Sequence, residues 1–356
     1  MTAWEEIWKS GMGLPLGAPG WVVLVAAWVV LFVGVILPGA ALVGFFERKL
    51  GSDLQARVGP NRAGPAGLFQ PIADVLKLLQ KEPLRGKTPE GSVTWSWVHA
   101  MALYSTIVTL PLGSSLVIFN AEMSVFIPFW AALLVSLSVL LMGLSSRTVP
   151  GWYGGLRVSA QAITGAFPAL IAISTVGLRA GGFRWSQLVD SQGASPLAWA
   201  FLSSPFEFVA FLVFLVSGLV LLNIPPLDGG YSVQDIHGGV GTLTQGRRLC
   251  LFLLGRFYGY FLWSLITVTL FLGGWKLPGT LYRALEDVSA FRTLAFLEVS
   301  WVLLKTTVLM VLVSLLGTVT PRVRSDQITD LSWKVLGPLS FLALAGAAIW
   351  MEIFGK

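Results

Sequence analysis

Eight long apolar runs, separated by polar connections, organise this chain. They lie near Trp21–Val43, Val98–Phe119, Val125–Leu144, Val158–Leu178, Phe206–Leu222, Leu249–Trp275, Leu294–Val319 and Val335–Phe354. Runs of this length cross about 30 Å of hydrocarbon at roughly 1.5 Å per residue. Lipid offers no partner to unpaired backbone groups, so each run is expected to be helical. A different pattern follows the first run. Leu68, Ile72, Val75, Leu76 and Leu79 recur at spacings of three and four, while Gln70, Asp74, Lys77 and Lys81 fall on the other side. That predicts an amphipathic helix lying at the membrane surface. The expected fold is all-α: a polytopic bundle of about eight transmembrane helices with one amphipathic cytoplasmic helix. No internal repeat or linker divides residues 1–356, which are read as a single transmembrane domain.

Composition agrees with this pattern. The chain is 55% hydrophobic and 12% charged, against about 25% charged residues in soluble domains. One cysteine, Cys250, and two histidines, His99 and His237, supply neither a disulfide framework nor a ligand set for zinc or an iron–sulfur cluster. No metal is expected in this chain, and any electrons would come from a partner. The net charge of +6 points to cytoplasmic loops and the bilayer, with no nucleic-acid partner expected. Lys and Arg concentrate after the first, third, fifth and seventh runs, above all in the first connection. The positive-inside rule then places the 47–97 loop in the cytoplasm and both termini outside. The start, MTAWEEIW, does not read as a cleavable signal peptide.

The densest information lies in Glu47–Glu82. Gly59-Pro60-Asn61-Arg62 with Gly64-Pro65 and Gly67 alternates rigid and permissive residues, so the backbone path there is heavily dictated. Together with Glu47-Arg48-Lys49, Gln55, Arg57, Gln70-Pro71-Ile72-Ala73-Asp74, Lys77 and Lys81-Glu82, the segment resembles the first large loop of the membrane protein that forms the quinone chamber of respiratory complex I, the H subunit of bacterial NADH–quinone oxidoreductase. Later landmarks extend the resemblance over nearly the whole chain: Leu156-Arg157 with Ala160-Gln161, Leu270–Trp275, and Pro321-Arg322, Arg324, Asp326-Gln327 and Trp333-Lys334.

The resemblance implies a component of a translocase that binds no nicotinamide, flavin or metal itself and takes quinone as substrate. It implies peripheral iron–sulfur subunits, antiporter-like and small membrane subunits as partners, in the cytoplasmic (inner) membrane. Ala66, Gly67, Phe69, Gln70 and Asp74 become candidates for lining the quinone portal. Glu47, Arg48, Arg57, Asn61 and Arg62 become candidates for holding the loop and docking a peripheral subunit. Phe69 reads equally as lipid-facing packing, and Asp74 and Lys77 equally as a solvated face.

The family also carries a chain of intramembrane carboxylates that moves protons. Here the sequence departs from it. Ala166, Leu221, Tyr231, Val233, Leu243 and Arg256 occupy positions where the resemblance places acids, and Ile224 stands where it places an arginine. Asp228, Asp235, Glu298 and Lys305 remain as relay candidates. Glu298 and Lys305 share a helical face, which suits a relay, a structural pair or a snorkelling lysine alike. Glu207 and His99 read as interfacial, and His237 as part of a loop too poor in ligands for a metal site. Two rival functions remain open. One is a structural anchor of a related hydrogenase-type or non-pumping complex, which the missing acids favour. The other is a secondary transporter with a broken helix near Asn223–Gly230.

Overall fold

The computed structural model describes residues 29–81, 91–114, 117, 120–146, 148–229, 240, 244–278 and 291–354. All regular secondary structure among these residues is helical. The principal elements are α1 (Val29–Leu54), α2 (Gln70–Gln80), α3 (Gly91–Tyr104), α4 (Phe126–Ser145), α5 (Val149–Ala180), α6 (Pro205–Leu221), α7 (Arg247–Phe271), α8 (Phe291–Val319) and α9 (Ser325–Phe354). Six of them, α1, α4, α5, α7, α9 and the Leu294–Val319 part of α8, are long and apolar enough to cross a membrane. α6 is apolar but shorter.

The second apolar run behaves differently from expectation. Its helix α3 ends at Tyr104 and tightens into a 3-10 turn over Ser105–Thr109. Ser105 and Thr109 turn their hydroxyls back onto the Ala102 and Thr106 carbonyls, and Pro111 then offers no N–H to continue the ladder. The residues beyond are irregular but deeply buried, with Leu110 and Leu112 almost wholly enclosed. Non-helical backbone at membrane depth is tolerated when protein surrounds it. Other boundaries move as well. α1 carries Glu47, Arg48 and Lys49 inside the helix rather than in a loop. α5 starts at Val149, where Thr148 caps it by accepting from Gly151 N at 3.3 Å.

Two helices organise the packing. α5 lies against α4, α6 and α9, and α7 lies against α1, α3 and α8. Small residues let backbones touch. A Cβ at Gly165 of α5 would sit 2.9 Å from both the Leu221 N and Ser217 O of α6, the close approach by which membrane helices associate. Phe214 of α6 stacks on Trp263 of α7 at 4.3 Å, which ties the two groups together. The last carbonyls of α7 lack helical partners. Gln192 meets two of them, Thr269 O and Leu270 O, each at 3.0 Å, and accepts from Gly273 N at 2.8 Å.

His99, on α3, is enclosed by protein, only 1% exposed. Glu207 is likewise buried, at the first turn of α6, and pairs with Arg179 at 3.2 Å. One sequence expectation is corrected: Glu298 and Lys305 do not pair. Glu298 receives the Ser114 N–H at 2.8 Å. Lys305 donates to Leu272 O at 2.7 Å and Gly274 O at 2.5 Å, with its ammonium over the Trp199 and Trp301 rings. It thus completes the C-terminus of α7 and does not snorkel.

Candidate functional site at the base of the first helix

The Gly59–Phe69 turn is shaped by contacts that exclude side chains. Gly67 has φ +84°, and a Cβ there would fall inside the Pro60 carbonyl. Gly64, at φ +76°, sits under the Phe69 ring. Ala66 adopts φ +53° between them. Phe69 N closes the turn on Ala63 O at 3.0 Å. The turn delivers Phe69 half exposed at the head of α2, and Ile72, Leu76 and Leu79 continue as an exposed apolar strip. The predicted amphipathic helix is therefore present. Val75 and Leu78 face inward, and Arg247 of α7 donates to Leu79 O at 3.2 Å.

The polar side of this region joins residues expected to have separate tasks. Arg48 on α1 forms an ion pair with Asp74 on α2, and Gln70 donates to the other Asp74 oxygen at 3.1 Å. A presumed docking residue and a presumed lining residue thus form one unit. Arg57 instead donates to its neighbour Gln55, and Asn61 and Arg62 stand exposed on the outer turn.

Inward from Arg48 comes a second charged group. Glu47 lies 3.9 Å from the Arg256 guanidinium on α7, within electrostatic reach of Asp228. Asp228 is 4% exposed. The position where an acid was expected on α7 is therefore held by the counter-ion of an acid on α1. Nothing in the local sequence announces this pair, because 209 positions in the numbering separate its members and only the α1–α7 packing unites them. Ala166 and Leu221, by contrast, lie buried in the apolar core. Asp235, Tyr231, Val233, His237 and Leu243 lie outside the described residues.

A small cavity of about 20 Å³ opens beside this group, lined by His99, Ser136, Leu221, Asn223 and Arg256 among others. The enclosure of His99 was not legible in the sequence, because an isolated histidine near the start of an apolar run gives no signal of burial.

Comparison with known proteins gives these features a context. Residues 26–348 match the family described as NADH dehydrogenase. The chain is 31% identical over 348 residues to the NADH-quinone oxidoreductase H subunit of Anaeromyxobacter dehalogenans, covering 94% of this chain and 84% of that protein. It is 32% identical over 334 residues to the protein of the same name from Burkholderia ambifaria, covering 89% and 88% respectively. With its apolar crossings and its charged first turn, this chain belongs to the NADH dehydrogenase family, as a multi-pass membrane component of the H-subunit type in NADH–quinone oxidoreductase, complex I.

Proposed function

We propose that the chain forms the membrane wall of a quinone chamber and anchors the peripheral iron–sulfur arm at the cytoplasmic face of the inner membrane. The observation that carries this reading is the pairing of two surfaces on α2. An exposed apolar strip, Phe69, Ile72, Leu76 and Leu79, lies on one side, and the Arg48–Asp74–Gln70 group lies on the other. Quinone has the same division, with an isoprenoid tail that prefers apolar surface and a ring that accepts hydrogen bonds. Ala66, Gly67 and Phe69 would pass the tail, and Gln70 and Asp74 would border the headgroup's path. Asn61 and Arg62, exposed on the outer turn, and the exposed Arg57, which also donates to Gln55, would meet a hydrophilic partner. Antiporter-like and small membrane subunits would cover other faces of the bundle. Photolabelling of the assembled enzyme with a quinone analogue tests the proposal. Label between Ala66 and Asp74 is expected; label confined to other subunits overturns it.

A second reading concerns coupling. Ala166 and Leu221 are both buried, and neither side chain can carry a proton. This supports an anchor and chamber wall that does not itself relay protons along that route. In proteoliposomes such an assembly would oxidise its donor without acidification attributable to this chain.

A further inference from the structure

The end of α4 and the start of α5 frame a groove of about 730 Å³, lined by Leu144, Thr148, Val149, Trp152, Tyr153 and Leu156. Trp152 and Tyr153 are each more than half exposed. Contacts fix where the groove lies in the bundle. Ser96, near the start of α3, meets Met142, near the end of α4, and His99 meets Ser138. His99 also packs against Phe252 of α7, whose first residue, Arg247, donates to the Leu79 carbonyl of α2. The groove therefore opens at the same end of the bundle as α2, where an amphipathic helix meets the membrane surface.

Three features bear on what fills it. Trp and Tyr gather where hydrocarbon meets water, because their rings are apolar and carry a polar atom. Arg157 is exposed, and its guanidinium has no hydrogen-bond or ion-pair partner among the described residues. It stands one turn beyond Tyr153 on the same face of α5, and helical side chains lean towards the N-terminus, which brings the cation back towards the groove. Beyond the groove, Trp152, Leu156, Ala160, Ile163 and Phe167 follow at spacings of four, four, three and four, all exposed. An apolar track thus runs inward along α5 from a cation at its outer end.

We infer that this groove seats an anionic phospholipid, with its phosphate at Arg157 and an acyl chain along the track from Trp152 to Phe167. The lipid divides as the site does, with charge at the interface and hydrocarbon beneath it. An apolar partner helix would cover the track without neutralising the guanidinium, and an enclosed charge without a counter-ion is strongly unfavourable. A free phosphate would meet the cation and leave the track bare. One cation near the membrane surface favours anionic over neutral lipid by about fivefold. The inference does not rest on the chamber reading of α2.

Photolabelling of the whole purified complex in phosphatidylcholine discs tests the site. Two probes are compared at equal concentration, a phosphatidylglycerol and a phosphatidylcholine, each carrying a diazirine in one acyl chain. The phosphatidylglycerol probe is expected to label the stretch between Val149 and Phe167 about fivefold more than the phosphatidylcholine probe. Equal labelling by the two overturns the anionic headgroup. Label absent from this stretch, as when a partner subunit covers it, overturns the lipid seat. Arg157→Gln should abolish the preference, and Arg157→Lys, which keeps the charge, should retain most of it, with assembly of both checked by native gel. A preference that survives Arg157→Gln overturns the assignment of the phosphate to Arg157.

Discussion

Replacing Lys305 with Met would leave the Leu272 and Gly274 carbonyl oxygens without the ammonium that now joins them. An unpaired buried acceptor costs about 1–3 kcal/mol, so Lys305→Met should lower the thermal stability of the purified complex measurably. Glu298→Gln should act independently, because Glu298 is engaged with Ser114. A double-mutant cycle between the two is expected to show coupling below about 0.5 kcal/mol; a larger value would mean that they interact after all. Gly67→Ala should fail for a different reason. It combines a left-handed backbone with a Cβ driven into the Pro60 carbonyl, and the conformation alone costs roughly 1–2 kcal/mol. Loss of the arm from the complex, read by native gel, is the expected outcome. The glycine's importance was legible in the Gly/Pro spacing. The role of Lys305 was not, since its partners are carbonyl oxygens that no sequence pattern marks.

Between elements, the Arg48–Asp74 pair links α1 to α2 at a partly exposed site. Such pairs contribute about 0–1 kcal/mol, so Asp74→Asn should barely change stability. If the pair orders the portal, Asp74→Asn should instead raise KM for quinone, and exchange of the two charges in Arg48→Asp with Asp74→Arg should recover part of the loss. A KM unchanged in the single variant would separate Asp74 from substrate entry. The helix α2 itself was readable because its apolar residues keep strict three-and-four spacing. The second apolar run was misread for a reason equally physical. Hydrophobicity reports burial, and Thr109–Leu112 is buried, but the hydroxyl back-bonds and Pro111 decide that it is not helical. Likewise, charge at Glu47-Arg48-Lys49 suggested a loop, whereas packing against α7 and α8 keeps these residues on α1.

For the assembled molecule, Arg62 is the informative position. It stands exposed on the outer turn, so Arg62→Ala should leave the bundle folded while impairing arm attachment or quinone reduction; normal assembly and turnover would show that this turn is not the docking surface. Installing acid at Ala166 should not create proton transport. The position is buried in the apolar core, where an unpaired carboxylate is strongly unfavourable. Reduced yield without acidification in proteoliposomes is the expected result. Family and overall helical character were legible because their signals are local: apolar length and an ungapped polar motif. The inner charged group was not, because Glu47, Asp228, Arg256 and His99 meet only after four separate stretches of chain have packed.

That meeting constrains what each position tolerates. Were Arg256 replaced by an acid, Glu47 and Asp228 would face a third carboxylate and lose the nearby cation on α7. Sequence change at one of the three is therefore tied to the other two, although they lie far apart along the chain.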